Sequence, residues 1–157
     1  SFYAGDRGLQ RLSFSSLKML KQNENLSTEH PSLFGLETIG FLLTELNEFL
    51  YGIRNTFSVK IDWEVLSGFQ HEVLAYTSDI PYGQIRTYGE IAEALGKTGG
   101  ARAVGRALGD NPIPIVIPCH RVIGADGVLR GYQGGIKAKA FLLNLEGHEF
   151  QNGKIII

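Results

Sequence analysis

The chain has a single cysteine, Cys119, followed directly by His120 and Arg121. A cysteine attacks as the thiolate, and with an unperturbed pKa of about 8.5 only a few per cent is ionised at neutral pH. A nucleophilic Cys119 therefore needs a base. His120 is nearest, but neighbouring side chains on an extended segment point to opposite faces. The imidazole would thus take the thiol proton through a water and would want a carboxylate behind it, for which Glu146 is the candidate. The plainer alternative is a small, inert, buried thiol, which is what a lone cysteine usually is. One cysteine excludes an internal disulfide and leaves a thiolate zinc site at most one sulfur.

The segment Asn111-Pro112-Ile113-Pro114-Ile115-Val116-Ile117-Pro118 is apolar and proline-stiffened, and it delivers Cys119 at a fixed place. Ahead of it, Ser67-Gly68-Phe69-Gln70 has capping-box spacing, predicting a helix to about Ser78. Pro81-Tyr82-Gly83 then makes a turn, and Thr87-Tyr88-Gly89-Glu90 repeats the capping box before Ile91, Ala94 and Leu95, with Gly96 as the stop. The stretch from Gly100 to Gly109 sets Ala101, Val104 and Leu108 on one helix face and Arg102 and Arg106 on another. Two short helices joined by a glycine-containing turn have the sequence form of a helix-turn-helix. The second carries almost no bulk besides its arginines, which suits close approach to a partner or ordinary helix packing. Asp126-Gly127 between apolar residues predicts a hairpin over Val122–Leu129, a wing in this context. A last helix from about Lys137 to Glu146 offers Phe141, Leu142 and Leu145 to the core, and Gly147 stops it.

Before residue 62 the pattern is that of a small α+β unit. Leu9 to Phe14 alternates like a strand, residues 20–35 read as a polar surface connection, and Ile39, Leu42, Leu43, Leu46, Phe49 and Leu50 give a helix from Thr38 to Tyr51. Phe57, Val59 and Ile61 alternate as a further strand.

At 157 residues, 43% hydrophobic and 20% charged, the chain is sized for one ordinary domain or two small ones and is not disordered in composition. No run reaches the roughly 18 apolar residues of a membrane span, and no basic-then-apolar leader opens the chain, so a cytoplasmic protein is expected. The first residue is not Met, consistent with trimming. The formal charge of -1 hides an asymmetry. Residues 82–140 hold eight Lys or Arg against four acids, a net +4, compatible with an anionic partner or with a solvated surface.

Ile117-Pro118-Cys119-His120-Arg121-Val122, with Asn111-Pro112 before it and Gly131-Tyr132-Gln133-Gly134-Gly135 and Glu146-Gly147-His148 after it, resembles the O6-alkylguanine-DNA alkyltransferases. Tyr82-Gly83, Thr87-Tyr88-Gly89-Glu90-Ile91-Ala92 and Ala101-Arg102-Ala103-Val104-Gly105 are similar to the same family in the same order. The resemblance is dense from about Phe69 to His148 and only general before that. It implies an α+β protein with an RNase H-like N-terminal domain over residues 1–65 and a winged helix-turn-helix domain over 66–157. It further implies single-use removal of an alkyl group from O6 of guanine, with O4 of thymine a further substrate, onto Cys119. By position, His120 and Glu146 would draw off the thiol proton, Tyr88 would protonate the departing guanine, and Asn111 would brace the cysteine turn. Arg102 would replace the extruded nucleotide in the base stack. Arg106, Thr87, Ala101 and Arg121 would face DNA, and Tyr88, Val122, Tyr132, Gln133, Gly134 and Gly135 would surround the flipped base. The implied partner is double-stranded DNA carrying O6-alkylguanine, bound by a monomer with no cofactor and no membrane.

The roles agree with the chemistry of the residues. An atom inside a duplex is out of reach of a pocket nucleophile, so the nucleotide must flip out at a few kcal/mol, and an arginine filling the gap offsets that cost. A thioether offers water no ready leaving group, so the protein should act once. Leu74 stands where many members have Trp, and Gln133 where Ser is common. The N-terminal cysteines with which some members bind zinc are missing, so no metal is expected. A thiol hydrolase would also use Cys and His, but these two are adjacent and no protease signature surrounds them. A recognition module without chemistry is the other competitor, and in such relatives the cysteine is replaced.

Overall fold

Leu9 and Leu12 lie three apart on one strand, yet both are buried. A bulge makes this possible: in the antiparallel pair of β1 (Phe2–Gly5) and β2 (Gly8–Leu12), Tyr3 faces Arg11 but Ala4 faces Leu9, so Gln10 is the extra residue that switches the face. Against this ribbon packs α1 (Leu33–Leu50), through Ile39, Leu42, Leu46 and Phe49. The computed structural model describes residues 2–13, 33–66, 68–151 and 153–156, and the chain divides into two compact units, 1–65 and 66–157. The strand expected from Leu9 is β2, which ends at Leu12; Phe14, its expected end, and most of the 20–35 connection lie outside the described residues.

Two expectations for the first unit need correction. Helix α1 begins five residues before Thr38, because Gly35 occupies the same buried face as Ile39 and Leu42, where its lack of a side chain hid the period. Phe57–Ile61 is not a strand in a ladder. The amides of Ser58 and Val59 donate to the buried carboxylate of Glu45, at 3.0 Å each, and leave only Ile61 to bridge Leu9. That bridge is close: a Cβ on Gly8, where φ is +135°, would stand 2.5 Å from the Lys60 carbonyl oxygen. Asp62 then takes Gln10 Nε2 at 2.7 Å and Arg7 Nε at 3.3 Å, and accepts from the amide of Glu64 in the short 3-10 turn Trp63–Val65.

In the second unit α2 (Gly68–Ser78) follows the predicted span, although Ser67, half of its supposed capping box, lies outside the described residues. Gln70 instead donates to the carbonyl of Asp110 at 3.0 Å. The Thr87 box forms in full: Thr87 Oγ1 accepts from the Glu90 amide at 3.1 Å, and the Glu90 carboxylate accepts from the Thr87 amide at 2.6 Å, starting α3 (Tyr88–Ala94). Helix α4 (Ala101–Gly109) packs on α2 and α3 through Val104, Ala107 and Leu108 and leaves Arg102 and Arg106 exposed.

After the 3-10 turn Cys119–Arg121, β4 (Val122–Ile123) pairs parallel with β3 (Arg86–Thr87). The Asp126-Gly127 turn forms, with Gly127 at φ +73°, but it closes no ladder of its own. One bond, Gly124 N to Val128 O at 3.2 Å, links its arms, and Val128 bridges Lys154 in β6 (Lys154–Ile155), the partner of β5 (Phe150–Gln151). Short arms with other partners replace the expected hairpin. Helix α5 (Ile136–Leu145) buries Leu142 and Leu143, and Leu143 joins Ile123, Leu129 and Ile155 in one cluster. Phe141 is 57% exposed and does not enter the core, since the buried face runs through Lys139, Leu142 and Leu143. The result is a mixed architecture of helices and small two-stranded sheets.

Candidate active site

Cys119 is buried because the apolar run before it is: Ile113, Ile115, Val116 and Ile117 are all at or below 8% exposure. Ile115 holds a left-handed backbone, φ +76°, unusual for a β-branched residue and a local cost that the packed segment sustains. Asn111 ties the segment together. Its Nδ2 donates to the carbonyl of Ile117 at 3.0 Å and to Cys119 Sγ at 3.1 Å, while Oδ1 accepts from the Ile113 amide. Among the described residues this is the one side chain hydrogen-bonded to the sulfur. Burial pushes the thiol's pKa up, against the Asn111 hydrogen bond and the charge of Lys139.

Glu146 caps α5 and collects four donors: His120 Nε2 at 2.8 Å, Arg121 Nε and Nη2 at 2.9 Å, and the amide of Gly83 at 3.1 Å. Burial alone would raise this carboxyl. The hydrogen bonds and charges of His120 and Arg121 outweigh it and hold the pKa at about 2. His120 is wholly buried, and that burial lowers its pKa despite Glu146. A neutral imidazole donating from Nε2 leaves a lone pair on Nδ1, and Nδ1 is buried with no hydrogen-bond partner among the described residues. The ring of Tyr132 stands edge-on to His120, centroids 6.4 Å apart.

Arg121 is not a DNA-facing residue. It is 6% exposed, gives Nε and Nη2 to Glu146, donates Nη1 to the Ile80 carbonyl at 2.5 Å and lies over the Tyr82 ring. Lys139, one of the cations of the basic segment 82–140, is likewise no surface charge. It is wholly buried, donating to the carbonyls of Val122 at 2.6 Å and Arg130 at 3.0 Å, with its ammonium 5.8 Å from the Tyr88 ring centre. Burial lowers its pKa to about 8, against a pull from Cys119. Its spacing to Leu142 and Glu146, three and then four residues, was the signal that it shares their buried face.

Above the thiol a cavity of about 780 Å³ is lined by Cys119, Tyr88, Tyr132, Gln133, Arg102, Ala101 and Arg130, with Gly89, Gly105, Gly109, Gly124 and Gly131 among the rest. Gly105 of α4 faces the Tyr88 ring. Burial, and the charge of the neighbouring sulfur when it is ionised, push the Tyr88 hydroxyl's pKa up, with Arg130 opposing. Gln133 latches the wall, its Nε2 donating to the carbonyls of Gly109 at 2.8 Å and Asn111 at 2.9 Å. Three expected pocket residues stand elsewhere. Val122 is buried with its carbonyl on Lys139, and Gly134 and Gly135 form the turn into α5, where φ is +82° at Gly135. The room in the cavity thus comes from other glycines. Thr87 commits its hydroxyl oxygen to capping α3, and Arg106 stands exposed beside Arg102 on α4. No group of three or more His, Cys, Asp or Glu among the described residues is arranged to hold a metal ion. No helix among them is long and apolar enough to cross a membrane.

A buried thiol, a histidine oriented by a carboxylate and an open cavity beside an arginine-bearing helix define a cysteine-centred group-transfer protein. The family described as 6-O-methylguanine DNA methyltransferase, DNA binding domain, matches residues 68–148. A methylated-DNA-protein-cysteine methyltransferase of Mycobacterium bovis is 44% identical over 136 residues, 84% of this chain and 79% of the relative. An inducible enzyme of that name from Bacillus subtilis is 42% identical over 104 residues, 65% of this chain and 56% of its own. The crystal structure of Mycobacterium tuberculosis OGT in complex with DNA is 40% identical, with a TM-score of 0.73 over 92% of this chain and 84% of that one. The chain belongs to the 6-O-methylguanine DNA methyltransferase family.

Proposed function

We propose that this protein repairs DNA directly, by transferring the alkyl group from O6 of guanine, and from O4 of thymine, irreversibly to Cys119. The carrying observation is the Asn111-braced thiol on a cavity wall shared with Tyr88, backed by a neutral His120 anchored on Glu146. The thiol proton passes through a water to His120 Nδ1, leaving imidazolium stabilised by the Glu146 carboxylate. Sγ attacks the alkyl carbon, the C–O6 bond breaks with its electron pair on oxygen, and Tyr88 supplies a proton as the base returns to its keto form. Tyr132 and Gln133 flank the base. Residues 66–157 act as a winged helix-turn-helix domain, in which Arg102 takes the place of the flipped nucleotide while Arg106 and Ala101 approach the backbone. Residues 1–65 form an RNase H-like domain, a reading supported by the β ribbon packed on α1. The protein works as a monomer on double-stranded DNA in the cytoplasm, once per molecule.

Intact mass of the wild type and Cys119→Ser after incubation with excess DNA containing O6-methylguanine tests this reading. One methyl group per chain, absent in the variant, is the expected result. Tight binding with no mass change would leave a recognition module.

A further inference from the structure

The cavity above Cys119 is one-sided in charge. Among the described residues, its charged lining side chains are Arg102 and Arg130, with no carboxylate. Arg102 belongs to α4, whereas Arg130 follows the Asp126-Gly127 turn and lies against Gly124. A Cβ at Gly124 would stand 2.8 Å from Arg130 Nε and 2.5 Å from Asp126 Oδ1, so a glycine is required for the ion pair to rest there. Arg130 Nη2 donates to Asp126 Oδ2 at 2.7 Å, and Asp126 Oδ1 also accepts from the amide of Val128. The remaining guanidinium donors, Nε and Nη1, make no hydrogen bond among the described residues. The carbonyl of Arg130 is fixed by Lys139, and its charge is felt at the Tyr88 hydroxyl. The Arg130 guanidinium, with Nη1 uncommitted, thus lines the same cavity as the acceptor thiol and the proton donor.

We propose that Arg130, restrained by Asp126, makes this cavity selective for O6-alkyl groups that carry a carboxylate. The inference rests on the alkyl-transfer reading. A thiolate approaching a carbon next to a carboxylate meets like-charge repulsion, strongest where water is excluded. A guanidinium donating to that carboxylate offsets the repulsion and orients the methylene. With an O6-carboxymethyl group the S–C bond forms and the C–O6 bond breaks, its electron pair going to O6. The base takes one proton, and the product is S-carboxymethylcysteine.

The test uses the full chain and three duplexes, carrying O6-carboxymethylguanine, O6-carboxamidomethylguanine and O6-methylguanine. Single-turnover rates are read by intact mass, and each variant's rates are divided by its own rate on the methyl duplex, which cancels changes in folding or DNA binding. Arg130→Gln should lower the carboxymethyl-to-carboxamidomethyl ratio about fivefold, the scale of a partly exposed ion pair. Asp126→Asn keeps the Oδ1 acceptor, frees the guanidinium and should raise the ratio. Opposite movement is what a merely structural pair would not give. A ratio unmoved by Arg130→Gln, or lowered by both variants, overturns the proposal. A uniform loss on all three duplexes with a shallower salt dependence makes Arg130 a phosphate contact and also overturns it. No transfer even from O6-methylguanine by the wild type removes the alkyl-transfer reading itself.

Discussion

Lys139 concentrates the residue-scale lesson. One of the eight cations of residues 82–140 is a buried group tying β4 to the turn carrying Arg130, with its charge close enough to favour ionised Cys119. Lys139→Met should therefore move thiol ionisation to higher pH, cutting the rate of iodoacetamide with Cys119 at pH 7 about five- to tenfold. Lys139 itself loses its proton near pH 8, so its help is present below that pH and fades above it. The two pH profiles should converge at alkaline pH, with Lys139→Arg lying near the wild type. A gap of constant size at all pH values would show only lost packing and two unsatisfied carbonyls. The His120–Glu146 contact was legible from the base that a thiol nucleophile needs, and the Asn111–Cys119 contact from the family resemblance. Lys139 and Arg121 were not, because net charge per segment does not say which charges are inside.

At the scale of elements, the C-terminus of α5 is clamped to the cysteine turn by a buried carboxylate with four donors. Glu146 titrates at about 2 in the folded protein, below an unfolded carboxyl near 4.3. A depressed pKa stabilises the fold fully above the unfolded value and loses that contribution as pH falls through the folded one. Urea midpoints of the wild type should thus decline between about pH 4.5 and pH 2. Glu146→Gln, which leaves Arg121 buried without its counter-charge, should cost roughly 3–5 kcal/mol at pH 7, a deficit that shrinks toward pH 2. Elements announced by local chemistry, such as the Thr87 capping box and α4, were readable with their boundaries. Those decided by distant partners were not. Glu45 takes the amides that would have made Phe57–Ile61 a strand, and β3 and β6 claim the arms of the expected hairpin.

For the whole molecule, the net +4 of residues 82–140 overstates what DNA can meet, since Arg121 and Lys139 are interior. Arg102, Arg106, Arg130, Lys97 and Lys137 remain exposed. Salt dependence of DNA binding reads this directly: Arg106→Ala should reduce the slope of log K against log salt by about 1, measured by fluorescence anisotropy on undamaged duplex. An unchanged slope would take Arg106 out of the interface. The clamp also fixes an order of events during synthesis. His120 and Arg121 leave the ribosome some 25 residues ahead of Glu146, so the nascent chain carries its thiol before it has the carboxylate that orients the base. Until α5 has been made and docked, the cysteine sits beside an unanchored imidazole and an unpaired guanidinium, and on the proposed mechanism a chain stalled before residue 146 would carry its thiol without the means to activate it.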